Sequence, residues 1–419
     1  MQLSGRVRHL RDASFLTPAR LTVRLKDRWP LASGRFYPMN KGEIPLEETR
    51  VYNFSAGPSQ MPLEVLEKAR DQLLCYPGAG CSVMEMSHRT PAFEAILRQA
   101  KETLRAIMEI PENYEVLFMQ GGATTQFSMV AMNLAHQGET MAYVQSGQFA
   151  TKAHDEGARW GNAVFVAGSK EAKYSYIPVA ETLPEGARFL HITGNNTIFG
   201  TGYNDLYHQV PAAVLPGANG ETSAVPLVAA WSRAILGREI RVSDYGLIYA
   251  GAQKNMGPAG MAVVIIRKDL LGLEVDPVVP VMLRYRVAAD NDSMYNTPPT
   301  FAIYMAGLMY EWVQKQGGVP EMERRNRAKS GALYDFIDNS ALFANPVRRE
   351  DRSLMNVTFT LPTQELTQDF LQLAKSRGLI NLKGHRLVGG CRASLYNGMP
   401  MEGVEKLIDT MKQFELQNK

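Results

Sequence analysis

With 419 residues, 45% of them hydrophobic and 21% charged, the chain has enough apolar material for two or three folded domains. A net charge of +3 on that length lacks the bias that binding to nucleic acid or a membrane surface demands. No run approaches the roughly 20 apolar residues of a membrane helix. The three cysteines (Cys75, Cys81, Cys391) form no paired framework, and the seven histidines show no metal-ligand spacing. A soluble, metal-free protein of a reducing compartment, the cytoplasm, is expected.

The first residues differ from the rest. Arg6, Arg8, Arg11, Arg20, Arg24, Lys26, Arg28 and Arg35 are set against only Asp12 and Asp27, with poor hydrophobic periodicity. Residues 1–49 are therefore expected to be a disordered or non-native extension; a targeting segment over 1–38, or a true start at Met39, fits the same composition. From Val51 the pattern becomes that of an α/β protein. Pro62 opens a helix carrying Leu63, Leu66, Ala69 and Leu73, and Phe93, Ile96, Leu97, Ala100, Leu104 and Ile107 keep helical spacing. Strands are predicted at 114–119, 140–144, 163–166, 188–192, 225–229, 245–249 and 261–267, together one large, mostly parallel seven-stranded sheet flanked by helices. After about 305 come helices near 301–316 and from Met322, a strand at 355–361, a helix near 366–375, a strand at 391–396 and an amphipathic helix through Phe414. The expected division is a large domain over 50–304 and a smaller C-terminal α/β domain over 305–419, with the stretch near 50–62 packing on the small domain.

Strand ends followed by small or polar residues are where open α/β sheets bind ligands. In Tyr249-Ala-Gly-Ala-Gln-Lys254-Asn-Met-Gly-Pro an apolar strand stops at one lysine in a glycine- and proline-rich turn. Desolvation there favours the neutral amine, the form that attacks carbonyls. Val116-Leu-Phe-Met-Gln-Gly121-Gly122-Ala123-Thr124 runs a strand through Gly-Gly into a helix start, whose free N–H groups suit a phosphate; there is no Walker lysine and no dinucleotide glycine pattern. Phe149, after a third strand, offers either a ring for stacking or a core side chain. His191-Ile-Thr-Gly-Asn-Asn-Thr197 offers hydrogen bonds to a hydroxyl-bearing ligand or forms an Asx turn. Asn296-Thr297-Pro-Pro-Thr300 is a stiffened loop with amide and hydroxyl groups. Two His-Arg pairs, His88-Arg89 and His385-Arg386, together with Arg392, point to a substrate with more than one anionic group.

Five segments in this order, Asn53-Phe-Ser-Ala-Gly-Pro58, Met84-Glu-Met-Ser-His-Arg89, Gly251-Ala-Gln-Lys-Asn255, Asn296-Thr-Pro-Pro-Thr300 and Gly384-His-Arg386, make the chain from about Val51 to its C-terminus resemble the phosphoserine aminotransferases. These are class-V transaminases of the fold-type I pyridoxal-phosphate enzymes. The resemblance implies pyridoxal 5'-phosphate as cofactor, a homodimer, and Lys254 as the catalytic residue carrying the internal aldimine and shuttling a proton. It implies cofactor-binding roles for Ala123, Thr124 and Gln253 at the phosphate, for Asn296 and Thr297 reaching that phosphate across a dimer, for Phe149 under the ring, and for Thr197 near the 3-hydroxyl. Arg392 would take the substrate carboxylate; His88, Arg89, His385 and Arg386 would bind the substrate phosphate and glutamate's side chain. The implied reaction interconverts 3-phosphohydroxypyruvate plus glutamate with O-phosphoserine plus 2-oxoglutarate, in serine biosynthesis. In some relatives 4-phosphohydroxythreonine also serves, in pyridoxine biosynthesis. Activities like those of cysteine desulfurases or alanine–glyoxylate transaminases fit the paired His-Arg segments less well.

The chain departs from that family in one region. Ala230 stands where the family has an aspartate facing the pyridine nitrogen, Gly202 where it tends to have arginine, and residues 207–222 read as an insertion. An aspartate there keeps the ring an electron sink. Losing one partner of a buried ionic contact costs about 3–5 kcal/mol, and part of that in the transition state would slow turnover roughly 10²- to 10³-fold. The second expectation is thus a cofactor-binding but catalytically impaired homologue, unless a gene-model error around 202–234 explains the departures.

Overall fold

A computed structural model of the chain describes residues 50–217 and 222–418. The expectations for residues 1–49, and for the middle of the 207–222 insertion, lie outside the described residues.

The first strand, β1 (Tyr52–Asn53), is followed by α1 (Leu63–Leu73) and α2 (Pro91–Ile107). Pro62 precedes α1, and the Thr90 side chain caps α2 by accepting from the Phe93 N–H, with Pro91 at the first helical position. The central sheet consists of β2 (Tyr114–Gln120), β3 (Thr140–Gln145), β4 (Asn162–Gly168), β5 (Leu190–Thr193), β6 (Leu227–Ala230), β7 (Leu247–Gly251) and β8 (Met261–Arg267). Its order is β2-β8-β7-β6-β5-β3-β4, with β8 antiparallel to both neighbours and the other pairings parallel. All seven predicted sheet strands are present, with ends displaced by up to two residues. Val225 and Pro226, read as strand, precede β6.

Because side chains alternate along a strand, each strand feeds both faces of the sheet. Val116, Phe118, Ala229, Ile248, Val263 and Ile265 join α2 on one face. Leu117, Met119, Val228, Ala230, Tyr249 and Val264 meet α3 (Ala123–Leu134) and α4 (Gln148–Gly157) on the other. Phe93, Leu97 and Leu104 of α2 are fully buried, each stabilising by about 1.5–3 kcal/mol. Helix α5 (Thr300–Lys315) lies along α2. The expected domain boundary at 304/305 falls inside α5.

Beyond it, α6 (Gly318–Asp338), β9 (Asn356–Phe359), α7 (Gln364–Ser376), β10 (Leu379–Ile380), β11 (Cys391–Ser394) and α8 (Met401–Gln417) share a separate aromatic core around Phe343, Phe359, Phe370 and Phe414. β9 pairs antiparallel with β11, and β1 pairs in parallel with β10, so the start of the described chain is tied to this C-terminal unit. The Lys329 ammonium on α6 is buried and donates to the carbonyls of Leu395, Tyr396 and Met399, fixing the turn after β11.

Candidate active site

The carboxyl ends of β3, β5, β6 and β7 converge with the N-terminal ends of α3 and α4, which gathers several predicted residues. At the end of β7, Ala252 bonds across to Met261 and the chain turns sharply, the Lys254 and Met256 N–H groups both returning to the Ala252 carbonyl. Ser59 holds this turn from outside: its N–H donates to the Gln253 carbonyl at 3.0 Å and its hydroxyl donates to the Lys254 carbonyl. Asn255 donates to the Arg233 and Ile235 carbonyls and accepts from the Asn397 N–H, joining the lysine loop to the turn after β6 and to the C-terminal unit. Gly57 and Gly257 are bare by necessity. A Cβ on Gly57 would lie 2.8 Å from Lys254 Cε, and one on Gly257 would lie 3.2 Å from the Ala306 Cα.

Burial and the nearby Arg233 guanidinium push the Lys254 amine down to about 7. An ammonium loses hydration there and faces a like charge, and both effects favour the neutral base.

Gly122 precedes α3 and no side chain caps that helix, so the first N–H groups, at Ala123 and Thr124, point outward unclaimed by a capping group. Gly251 keeps this corner open: a Cβ there would stand 2.7 Å from Gln253 Oε1 and 3.5 Å from the Ala123 nitrogen. The Gln253 Oε1 atom is itself buried without a partner. Gln120, at the end of β2, donates to Asn296 Oδ1 at 3.1 Å and to the Thr297 carbonyl at 2.8 Å, which brings both exposed residues to the same edge. The Thr197 hydroxyl lies beside that of Tyr396 and is buried without a well-formed hydrogen bond, as is Arg392 Nε. Unpartnered buried polar atoms are uncommon in folded chains. Those at Gln253 and Thr197, with the helix start and Lys254, suit pyridoxal 5'-phosphate: donors at a helix start for its phosphate, an amine for its aldehyde, a hydroxyl for its ring oxygen.

Two positions fit less well. Ala230 pairs in the sheet with Thr193 and Tyr249, and neither supplies a carboxylate. His191, two residues before Thr193, holds the Tyr249 hydroxyl through Nε2 at 2.8 Å, and burial pushes its pKa down to about 3, so it is a neutral ring. Asp244 is no substitute. It lies before β7, at the opposite end of that strand, bound to Arg241 and to the Tyr207 hydroxyl. The second position is Arg233, whose guanidinium carbon sits 4.1 Å from the centre of the Phe149 ring.

His385 is half-buried, and burial together with Arg392, Arg386 and Lys152 lowers its pKa. Arg386 is exposed on the same loop. His88 and Arg89 sit on the glycine-rich loop before α2, Arg89 exposed, and their side chains make no hydrogen bond or ion pair to the Lys254 cluster among the described residues. Sequence reasoning missed Arg233 and Ser59 as parts of the site, and it quoted Gly57 and Asn255 only within family segments, without a role. For Arg233 the legible signal was a lone arginine in the apolar run Ala229-Ala-Trp-Ser-Arg-Ala-Ile235 directly after a buried strand.

Comparison with known proteins agrees with this geometry. The class-V aminotransferase family model matches residues 51–407. Phosphoserine aminotransferase from Bacillus cereus (strain ATCC 14579) is 50% identical over 372 residues, covering 88% of this chain and 99% of its own length. The enzyme of that name from Listeria monocytogenes serotype 4b is 51% identical over 367 residues, covering 87% and 96%. Among solved structures, phosphoserine aminotransferase from Bacillus circulans subsp. alkalophilus superposes with a TM-score of 0.83 at 41% identity, over 88% of this chain and 99% of that one. The pyridoxal-phosphate-bound enzyme from Trichomonas vaginalis gives 0.80 at 37% identity, over 87% and 100%. The chain belongs to the class-V aminotransferases and, within them, to the phosphoserine aminotransferase family.

Proposed function

We infer that the protein is a pyridoxal 5'-phosphate-dependent transaminase of serine biosynthesis, interconverting 3-phosphohydroxypyruvate plus L-glutamate with O-phospho-L-serine plus 2-oxoglutarate. The observation that carries this reading is the Lys254 amine, half-buried just past the end of β7 with its pKa pushed down to about 7, on a loop whose preceding Gly251 abuts the uncapped start of α3. When bound, the cofactor supplies an aldehyde for amino groups and a ring that stabilises negative charge at the substrate Cα. Ala123, Thr124 and Gln253 hold its phosphate. Thr197 meets the oxygen on its ring. Lys254 Nζ, about half of it neutral at pH 7, anchors the cofactor and afterwards accepts and returns the Cα proton. Arg392 takes the substrate carboxylate, and His88, Arg89, His385 and Arg386 supply cationic and hydrogen-bonding groups for the phosphate and for glutamate's second carboxylate. A homodimer in which Asn296 and Thr297 of the partner subunit complete the phosphate site is part of the proposal, supported by the exposure of both residues at the α3 edge. So is the division into a 50–304 cofactor domain and a 305–419 small domain. The unpaired cysteines support a reducing, cytoplasmic setting, and no helix among the described residues is long and apolar enough to cross a membrane.

A silent cofactor-binding homologue is not favoured. Identity of 50% extends over 99% of the Bacillus cereus enzyme. The test is direct: load the protein with pyridoxal phosphate, reduce with borohydride and map the adduct, then add phosphoserine alone and follow loss of the cofactor's aldehyde-state absorbance. A modified Lys254 and a spectral change with phosphoserine support the reading; an unmodified Lys254 refutes it.

A further inference from the structure

Arg233 is 6% exposed and makes no side-chain hydrogen bond or ion pair among the described residues; its Nε is buried without a partner. A guanidinium stays charged at any physiological pH. The groups that bear on its charge are Arg392 and the hydroxyls of Tyr396 and Tyr249, and it acts in turn on Lys254; no carboxylate is among them. Its one favourable contact is the Phe149 ring, 4.1 Å from the guanidinium carbon to the ring centre, which is stacking distance. The same guanidinium lies within electrostatic reach of Lys254, Arg392 and Tyr249. Ala230 and its sheet partners Thr193 and Tyr249 offer no carboxylate to draw the guanidinium off the ring.

A planar cofactor ring attached at Lys254 and stacked on Phe149 needs the ring face turned toward the lysine. Two flat groups cannot both lie within about 4 Å of one ring face on the same side. We propose that the guanidinium covers that face and that Arg233 and the pyridoxal-phosphate ring compete for it, so that cofactor binding displaces this guanidinium and Arg233 is a residue that sets cofactor affinity. The inference rests on the functional reading above. Arg233 acts here as a positioning residue that takes part in no covalent step.

The test is a binding cycle on the full chain, read by quenching of intrinsic fluorescence on titration with pyridoxal phosphate at 0.5 M salt, which screens long-range attraction between arginine and phosphate. Arg233→Ser removes the competitor and is expected to bind the cofactor at least tenfold more tightly, equivalent to about 1.4 kcal/mol. Phe149→Ala removes the platform from both competitors. Its penalty for cofactor affinity is therefore expected to be several-fold larger in the Arg233→Ser background than in the parent, an interaction that a merely structural arginine would not produce. Arg233→Gln, uncharged but of similar length, should fall between the two and covers the case in which the serine variant folds poorly. Equal or weaker binding by both Arg233 variants, or additive effects of the two positions, overturns the competition while leaving the functional reading intact. If no form of the chain binds pyridoxal phosphate, the functional reading itself falls and the inference with it.

Discussion

The depressed pKa of Lys254 makes a quantitative claim about how fast the protein takes up its cofactor. Only the neutral amine attacks an aldehyde. With the pKa held at about 7, about half the amine is neutral at pH 7, against roughly 0.04% for an ordinary lysine at 10.4, a gain of about 10³-fold in reactive species. The perturbation is pH itself. Covalent attachment of pyridoxal phosphate, followed by rapid-mixing absorbance and divided by the rate constant of a small free amine expressed per neutral amine at the same pH, should rise roughly fivefold from pH 6 to 7 and less than about twofold from pH 8 to 10. Normalisation removes the cofactor's own titrations. The causes can be separated, because burial is the larger and the Arg233 charge the smaller. Arg233→Ser should therefore move the inflection upward without restoring it to 10. A parent protein whose normalised rate climbs tenfold per pH unit between 8 and 10 would show that Lys254 is an ordinary solvated lysine, and the physical basis assigned to it would be wrong.

Three further outcomes follow from particular contacts. Ala230→Asp places a carboxylate between Thr193 and Tyr249; single turnover with phosphoserine should quicken at least about tenfold, and a rate within twofold of the parent would count against a missing electron-sink partner. Gly57→Ala puts a Cβ 2.8 Å from Lys254 Cε at a φ of +135°. The strain should cost about 1–3 kcal/mol in a urea titration and slow cofactor attachment, whereas parental values in both would refute the close approach. Lys329→Met leaves three carbonyls without their donor and should destabilise by about 2–4 kcal/mol. Burial pushes the folded Lys329 down to about 7, so between pH 7 and 10 the unfolded chain binds more protons and stability rises with pH. That rise should be smaller in the methionine variant, and equal slopes would dismiss the assignment.

The fold was largely legible from the order of residues. β8, Met261 to Arg267, is apolar without a break as far as Ile266 and appears with its predicted ends, because a strand buried on both faces writes itself as continuous hydrophobicity. Strand ends were less legible. β6 begins at Leu227 instead of Val225, since the pairing register with β5 and β7, not local composition, decides where a ladder starts. Lys254, the Gly-Gly start of α3 and the polar run through Thr197 could be read as site residues because each interrupts an apolar strand with chemistry that a core has no use for.

What the linear chain could not express is which distant residues share a few ångströms. The closeness of Gly57 to Lys254, of Gln120 to Asn296 and of Arg233 to Phe149 joins segments some 84 to nearly 200 residues apart. Local sequence determines helix, strand and turn through short-range sterics and hydrophobic periodicity. The charge balance of the site, two cations and a neutral histidine with no acid beside Ala230, arises only when the sheet brings its strand ends together. Burial and Coulomb interactions depend on distance through space, and separation along the chain does not specify it.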